Sequence, residues 1–345
     1  MIRVAHVYKE FHPFASGVAR HIDGLATAVM EHGIAITIVA PDQGEVPQGR
    51  AYARVTSLAA GLAGADIVHV HGARTPIAMV AAQRAGRRPV IYTPHCYYDD
   101  GGWLRRSAKR VWDATAERWL VRRAAATWVL HDGWIADLAN RGLPTDTCRV
   151  LPNAVLAADL ADRRAISPLV LDGRPALLIV GRLDPVKRLE DAIAALTAPG
   201  LADAVLHLVG RGPDLVRLQA LAAPLGTRVR FHGWQPDSVA AAMVAGADLI
   251  LLPSQREGMP TALIEALLLG RPVLTSNIPG SRSVLDTVGW PAYHTLADPA
   301  DLAAAILRHA GTPPSPAVIA ATAAAFTWEQ VAPHVATLYR EALDG

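Results

Sequence analysis

Apolar residues gather in short runs at 2–8, 35–40, 66–70, 89–93, 126–130 and 149–151, and again at 176–180, 204–209, 229–232, 247–252 and 272–276. Runs this short, bounded by turn residues, read as buried strands. Between several of them the pattern changes to helical spacing. In 18–32, for instance, Val18, Ile22, Leu25 and Val29 fall on one face. Further helices are expected near 188–197, 214–222, 237–245, 261–269 and 300–309. Strand and helix in alternation imply parallel sheets covered by helices on both faces. The rhythm lapses across 156–175, where Pro168, Gly173 and Pro175 occur. The expectation is therefore an α/β protein of two Rossmann-like domains, 1–165 and 166–327. A last helix from Trp328 to about Leu343 follows a Pro- and Ala-rich stretch read as loop, and is expected to rejoin the first domain as 328–345.

Length agrees with this division, since 345 residues exceed what one core usually fills. A hydrophobic share of 51% against 19% charged fits a globular chain. The formal charge of +2 conceals an asymmetry: residues 1–165 hold 20 Lys/Arg against 15 Asp/Glu, whereas 166–345 hold 13 against 16. A basic first half suggests an anionic partner, but the excess is too small to argue for nucleic acid. Two cysteines, the lack of an 18-residue apolar stretch, and a start that reads as a strand point to a cytoplasmic protein without a membrane span or signal peptide.

The strongest local signal is Glu257-Gly-Met-Pro-Thr-Ala-Leu-Ile-Glu265, directly after strand 247–252. It places Glu257 and Gly258 in a loop at a strand's carboxyl end, where open α/β sheets gather ligands. Met259, Pro260 and Thr261 lead into a helix whose first amides attract a phosphate or a sugar oxygen. Glu265 can accept hydrogen bonds from two ribose hydroxyls, and Glu257 from hydroxyls of a transferred sugar. A second cluster, Val180-Gly-Arg-Leu-Asp-Pro-Val-Lys-Arg188, also follows a strand. Arg182 offers a planar fork for phosphate oxygens and Lys187 a mobile charge, suited to a leaving diphosphate. Asp184-Pro185 reads as a helix start. The Gly210-Arg-Gly-Pro213 turn brings Arg211 to the next strand end. Near the beginning, Gly17 precedes helix 18–32 and allows close approach of a phosphate. Asp42 follows the second strand as a ribose-binding acid would, but G-x-G-x-x-G is absent, which argues against a nicotinamide site.

His95 follows strand 89–93 and so lies at a carboxyl edge, placed for a sugar or an acceptor. His69 and His71 alternate on one strand with no acid or cysteine at matching spacing, and are read as packed residues, not metal ligands. Asp99 and Asp100 are adjacent, so a cation-binding Asp-x-Asp is lacking. Residues 103–123 carry Trp103, Trp112 and Trp119 among seven Arg/Lys and two acids. Leu104, Ala108, Val111, Trp112 and Trp119 form a stripe, with Arg105, Arg106, Lys109 and Arg110 mainly on another face. Two readings stand: a helix resting on an anionic membrane, or a stripe packed on the sheet with a solvated basic face.

Together these segments resemble the GT4 family of retaining GT-B glycosyltransferases. The likeness runs through the Gly17 loop, Asp66-Ile-Val-His-Val-His71, Val150-Leu-Pro-Asn-Ala154, Val180–Lys187, Gly210–Pro213, the E-x7-E element within Pro253–Ala266, and the Trp328 helix. The resemblance implies a GT-B fold with two Rossmann-like domains facing a central cleft, the first for the acceptor and the second for the donor. It also implies roles: Arg182 and Lys187 on the diphosphate, Glu265 on the ribose, Glu257 on the donor sugar, and His95 near the reacting centre. No cofactor and no obligatory metal are expected; a GDP- or UDP-sugar is the donor, and a glycan or lipid-linked molecule the acceptor. The implied setting is bacterial surface polysaccharide or glycolipid synthesis, peripheral on the inner membrane face. Two departures occur: Ser16 stands where the family commonly has glycine, and Ser283 where it often has Glu. The rival readings are a nucleotide-sugar epimerase and an inactive nucleotide-sugar-binding regulator.

Overall fold

A computed structural model describes residues 1–11, 16–41, 45–99 and 101–344. Asp42 and Asp100 lie outside the described residues. The chain divides into two compact units, Met1–Leu156 with Trp328–Gly345, and Ala157–Thr327.

The first unit holds a parallel sheet of β1 (Ile2–Val7), β2 (Ile34–Val39), β3 (Ala53–Val55), β4 (Ile67–His71), β5 (Val90–Thr93), β6 (Ala126–Val129) and β7 (Cys148–Val150), in the order β3-β2-β1-β4-β5-β6-β7. Its helices are α1 (Gly17–Ala28), α2 (Leu58–Leu62), α3 (Pro76–Arg84), α4 (Trp103–Trp112), α5 (Arg118–Arg123) and α6 (Gly133–Asn140). The second unit contributes α7 (Ala157–Arg164), then β8 (Ala176–Val180), β9 (Val205–Val209), β10 (Val229–Gly233), β11 (Leu249–Leu252), β12 (Val273–Ser276) and β13 (Tyr293–His294), in the order β10-β9-β8-β11-β12-β13. These strands are parallel too. The helices interleaved with them are α8 (Leu189–Ala195), α9 (Leu215–Ala222), α10 (Asp237–Gly246), α11 (Thr261–Leu268), α12 (Pro279–Val288), α13 (Pro299–His309) and α14 (Pro316–Phe326). Helix α15 (Trp328–Asp344) returns to the first unit.

Each sheet reverses its strand order once, between β1 and β4 in the first and between β8 and β11 in the second. Such switch points open a crevice at the strand carboxyl ends. Side-chain alternation assigns each strand residue to a face. In β1, Val4 joins a core shared with Ile22 and Leu25 of α1 and with Trp328 and Val335 of α15. Ala5 and Val7 point the other way, to Ala78 and Ala81 of α3 and Leu120 of α5. The second unit's core is dominated by leucines, among them Leu177, Leu206, Leu249 and Leu274 from four strands.

Three features differ from the sequence expectation. The division falls at Leu156/Ala157 and not at 165/166, because α7 lies with the second unit: Arg163 pairs with Glu265 at 2.6 Å, and Arg164 bonds the Leu268 carbonyl at 2.8 Å. The short edge strands β3 and β13 carry no clear apolar run. The Pro- and Ala-rich stretch read as loop contains α14, capped by Ser315, whose hydroxyl accepts from the Val318 amide at 3.3 Å.

Candidate active site

In the second unit, the loops leaving β8, β9 and β11 meet at the switch point and are tied backbone to backbone. The Leu183 amide bonds the Arg211 carbonyl at 2.9 Å, Asp214 bonds Leu183 at 3.1 Å, and Gln255 bonds Val186 at 2.8 Å. Glycine makes this approach possible. A Cβ on Gly210, whose φ is +137°, would sit 1.8 Å from the Gly181 carbonyl oxygen, and one on Gly280 would sit 2.4 Å from that of Glu257. Gly280, at the start of α12, thus packs directly on the Glu257 loop.

On this frame Lys187 Nζ lies 2.6 Å from Glu257 Oε1, and the buried Ser254 hydroxyl donates to the same oxygen at 2.6 Å. Asp184 caps the single 3-10 turn Pro185–Lys187 by accepting from the Val186 amide at 3.2 Å, which fixes where Lys187 leaves the backbone. Arg182 is 68% exposed and pairs with Asp184 at 2.6 Å. Arg211 is exposed on the neighbouring loop. Met259 and Pro260 are buried, Gly258 and Thr261 half-buried, and Pro260 gives α11 no side-chain cap. Glu265 lies just over one turn into α11, its carboxylate on Arg163. The structure therefore gathers Arg182, Lys187, Arg211, Glu257 and Gly258 on the loops at the strand carboxyl ends, with Thr261 and Glu265 on the helix that follows. Arg163 and Ser254 were missed in the sequence. Ser254 immediately precedes the Gln255–Glu257 loop, whereas nothing local marks Arg163.

Gly17 and His95 belong to the first unit. Gly17 is the exposed first residue of α1, and Ser16 is its cap, accepting from the Ala19 amide at 3.1 Å. That is the physical reason for a serine there. Ser283 sits in α12, its hydroxyl on the Gly280 carbonyl at 2.9 Å. His95 is buried at the carboxyl end of β5, with a left-handed φ of +62°.

Around His95 stands a set of buried histidines. His6 of β1 is in register with His69 of β4, so alternation puts His6, His69 and His71 on the face covered by α1 and α15. His21 of α1 stands with its ring at 83° to that of His95, centroids 4.8 Å apart. Burial pushes His6 down to about 3 and His21 to about 4, and holds His69, His71 and His95 well below the ordinary histidine range. His6, His69 and His71 offer ring nitrogens within 4.8 Å of one another, a grouping able to hold a metal ion. The spacing of His69 and His71 hinted at this cluster; His6, His21 and Tyr339 carried no signal.

The stretch 103–123 is helical throughout, with α4 running through a π turn, Asp113–Glu117, into α5. No residue of α4 is buried, and Trp103, Leu104 and Val111 are 74%, 65% and 64% exposed. The stripe therefore does not pack on the sheet, which corrects the second of the two readings. The base of α4 is pinned instead. The Glu117 carboxylate accepts from Tyr92, from Tyr97 at 2.9 Å, from Trp112 Nε1 at 3.0 Å and from the Arg74 amide at 3.1 Å. Asp113 pairs with Arg74 at 2.6 Å and Arg141 at 3.3 Å.

Two parallel α/β units, each with a switch-point crevice at its strand carboxyl ends, define the GT-B fold. HepE from Anabaena, solved in complex with UDP and glucose, superposes with a TM-score of 0.75 at 15% identity, covering 99% of this chain and 100% of that one. Residues 174–311 match the family described as Glycosyl transferases group 1, and residues 46–154 match a Glycosyl transferase 4-like domain. The glycogen synthase of Mycobacterium tuberculosis is 31% identical over 301 residues, 81% of this chain and 70% of that one. The 2-deoxystreptamine N-acetyl-D-glucosaminyltransferase of Streptomyces fradiae is 31% identical over 266 residues, 71% of this chain. That alignment spans 62% of the relative's own length. The chain belongs to the group 1, GT4-like glycosyltransferases.

Proposed function

We propose that the protein transfers a glycosyl group from a nucleotide-diphosphate sugar to an acceptor hydroxyl with retention of configuration. One observation carries the reading: a cation and a carboxylate, Lys187 and Glu257, stand 2.6 Å apart at the switch point of the second sheet. Negative charge grows on the diphosphate as the glycosyl bond breaks, and a preorganised cation there stabilises the transition state more than the ground state. Lys187 and Arg182 supply that charge, while Glu257 accepts hydrogen bonds from hydroxyls of the sugar. Glu265 takes the ribose hydroxyls, and the amides at the start of α11, with Gly258 to Thr261, face the donor. Arg211 and Gly17 complete the donor set, and His95 serves the reacting centre. The leaving phosphate receives the acceptor's proton on the same face, so no protein nucleophile is required.

UDP in the HepE complex supports a UDP-sugar, with a GDP-sugar as the other candidate. The acceptor is a glycan or a lipid-linked molecule in a surface polysaccharide or glycolipid pathway; the aminocyclitol named for the S. fradiae relative belongs in the assay as a small polyol. Lipid-linked acceptors are reached through α4, whose exposed Trp103, Leu104 and Val111 lie beside Arg105, Arg106, Lys109 and Arg110. Among the described residues no helix is long and apolar enough to cross a membrane. The proposed attachment is peripheral, through the exposed face of α4.

The test begins with thermal stabilisation across UDP-, GDP- and ADP-sugars, which reports donor binding through mass action. The selected donor is then incubated with acceptors, with EDTA present. The expected product keeps the donor's anomeric configuration, and EDTA leaves the rate unchanged. Inversion in the product NMR spectrum overturns the mechanism. Conversion of donor without acceptor identifies an epimerase, and binding without any turnover identifies a regulator.

A further inference from the structure

We propose that a chain of buried hydrogen bonds from Thr93 through His69, Tyr339, His6 and His71 holds His95 as a neutral imidazole protonated on Nδ1. His95 then meets a substrate oxygen as a hydrogen-bond donor and not as a base. The substrate half of this statement rests on the proposed function; the protonation half does not.

The chain is continuous. Thr93 Oγ1 lies 2.8 Å from His69 Nε2, and His69 Nδ1 lies 2.8 Å from the Tyr339 hydroxyl. That hydroxyl lies 2.8 Å from His6 Nε2; His6 Nδ1 is 2.8 Å from His71 Nε2, and His71 Nδ1 is 3.0 Å from His95 Nε2. Burial favours the neutral form of each histidine and of Tyr339. A neutral imidazole donates through one nitrogen and accepts through the other, and a phenol has one proton to donate. An unbroken chain therefore has only two polarities, and choosing the donor at one end fixes every tautomer to the other.

Thr93 makes the choice. Its buried hydroxyl has His69 as its one hydrogen-bond partner among the described residues, so its proton is satisfied only by donating to His69 Nε2. His69 then donates from Nδ1 to Tyr339, Tyr339 to His6 Nε2, His6 from Nδ1 to His71, and His71 from Nδ1 to His95 Nε2. With Nε2 accepting, the proton of His95 is left on Nδ1, the nitrogen outside the chain. The reverse polarity bares His95 Nδ1 as a base and strands the Thr93 proton in the core, which disfavours that arrangement by roughly 5- to 150-fold.

Two neighbouring observations agree. Asn153 Oδ1 accepts from the Ala154 amide at 3.1 Å, which identifies it as the oxygen, so His21 Nδ1, 3.1 Å away, must also carry the proton. The rings of His69 and His71 are stacked, 27° apart in plane with centroids at 4.1 Å, and His6 lies 20° from His71. Imidazoles that ligate one ion turn their in-plane lone pairs to a common point, whereas His6 Nδ1 and His71 Nε2 face each other at 2.8 Å. Thr93, His69, Tyr339, His6 and His71 are thus positioning residues that act through His95.

Long-range proton–nitrogen NMR on protein labelled with ¹⁵N-histidine reads each tautomer without substrate, with His95→Gln assigning the His95 signals. The expected spectrum shows His6, His69, His71 and His95 neutral at pH 7.5 with the proton on Nδ1. Thr93→Val removes the choosing proton and brings the two forms of His95 from at least about 5:1 to near equality, whereas Thr93→Ser restores the dominant form. Tyr339→Phe cuts the chain in the middle and gives the same mixture should Thr93→Val fail to fold. An Nε2 proton on His95 in the parent protein overturns the proposal, as does a single unchanged tautomer in both variants. One equivalent of Zn²⁺ shifting His6, His69 and His71 together also overturns it, since a metal would take the lone pairs that the chain uses. Because the spectra need no donor, a failed transfer assay leaves this result intact, and the reverse holds.

Discussion

At the scale of single residues, Lys187 and Glu265 separate the two kinds of binding in the proposed site. Lys187 acts on charge that develops as the bond breaks, so Lys187→Ala should lower kcat about 100-fold or more with a smaller change in donor KM. Glu265 holds the ribose equally in ground and transition states. Glu265→Ala should chiefly raise the donor KM, helped by the loss of the partner of Arg163, 2.6 Å away. Steady-state kinetics with varied donor decides both. A lysine variant with parent kcat and only a raised KM would remove Lys187 from the leaving-group role. The donor loops were readable in the sequence because their signals are local: a buried run, then Gly or Pro, then a charged residue before a helix. The histidine chain was not, since its members at 6, 69, 71, 93, 95 and 339 come from five strand or strand-end positions in three strands and from α15. Only strand register and the returning helix bring them together.

At the scale of elements, α4 is the exception among the helices of its unit, because its apolar stripe faces solvent while its base is locked. Asp113 and Glu117 bind Arg74, Arg141, Tyr92, Tyr97 and Trp112, so the helix is held out by a buried polar anchor. Arg105, Arg106 and Arg110 are exposed, whereas Lys109 is half-buried with its Nζ on the Tyr98 carbonyl at 2.7 Å. Each exposed basic residue near an anionic leaflet contributes about 1 kcal/mol before entropic losses. Sedimentation with anionic vesicles should show binding that falls as salt rises from about 50 to 500 mM, with none to neutral vesicles. Changing Arg105, Arg106, Lys109 and Arg110 to Gln should abolish it and spare turnover on a soluble acceptor. Equal binding to neutral vesicles, or none to anionic ones, would leave α4 without a membrane role. Elements with strong periodicity, such as α1, were legible in the sequence. Helix α14, Pro-Ala-Val-Ile-Ala-Ala-Thr-Ala-Ala-Ala-Phe, was not, because alanine nearly all round leaves no polar face to set the period. β13 has only two residues and offers no pattern at all.

At the scale of the whole molecule, the buried histidines set the acid limit of stability. Their folded pKa values lie below the unfolded value, so the unfolded chain binds more protons once the pH drops beneath about 6.5. Stability is therefore intact above that point and is lost as pH falls toward the folded values, about 3 for His6 and about 4 for His21. Each histidine held neutral removes about 1.4 kcal/mol per pH unit in that window. His6, His21, His69, His71 and His95 act together, so Tm should fall steeply between pH 6.5 and 5.5 and change little between 7.5 and 6.5. A flat Tm down to pH 5.5 would show that the cluster accepts protons without unfolding. Asp66 and Asp99, whose carboxyls are held below the usual range by arginine partners, respond only in stronger acid and do not blur this window.

The return of α15 to the first unit has a consequence for synthesis on the ribosome. Trp328, Val335 and Tyr339 lie in the same core as Val4, Ile22 and Leu25, yet the whole of Ala157–Thr327 is translated between them. At about 5–20 residues per second, the nascent first unit waits roughly 10 to 35 s for the helix that closes its α1 face. During that time the groove beside Gly24, where a Cβ would come within 2.0 Å of Trp328 Nε1, stands open beneath the exit tunnel. The second unit is contiguous and can complete itself first, so the half that begins the chain is the last to be finished. Chaperones that shield apolar surface on nascent chains would meet this protein at that groove.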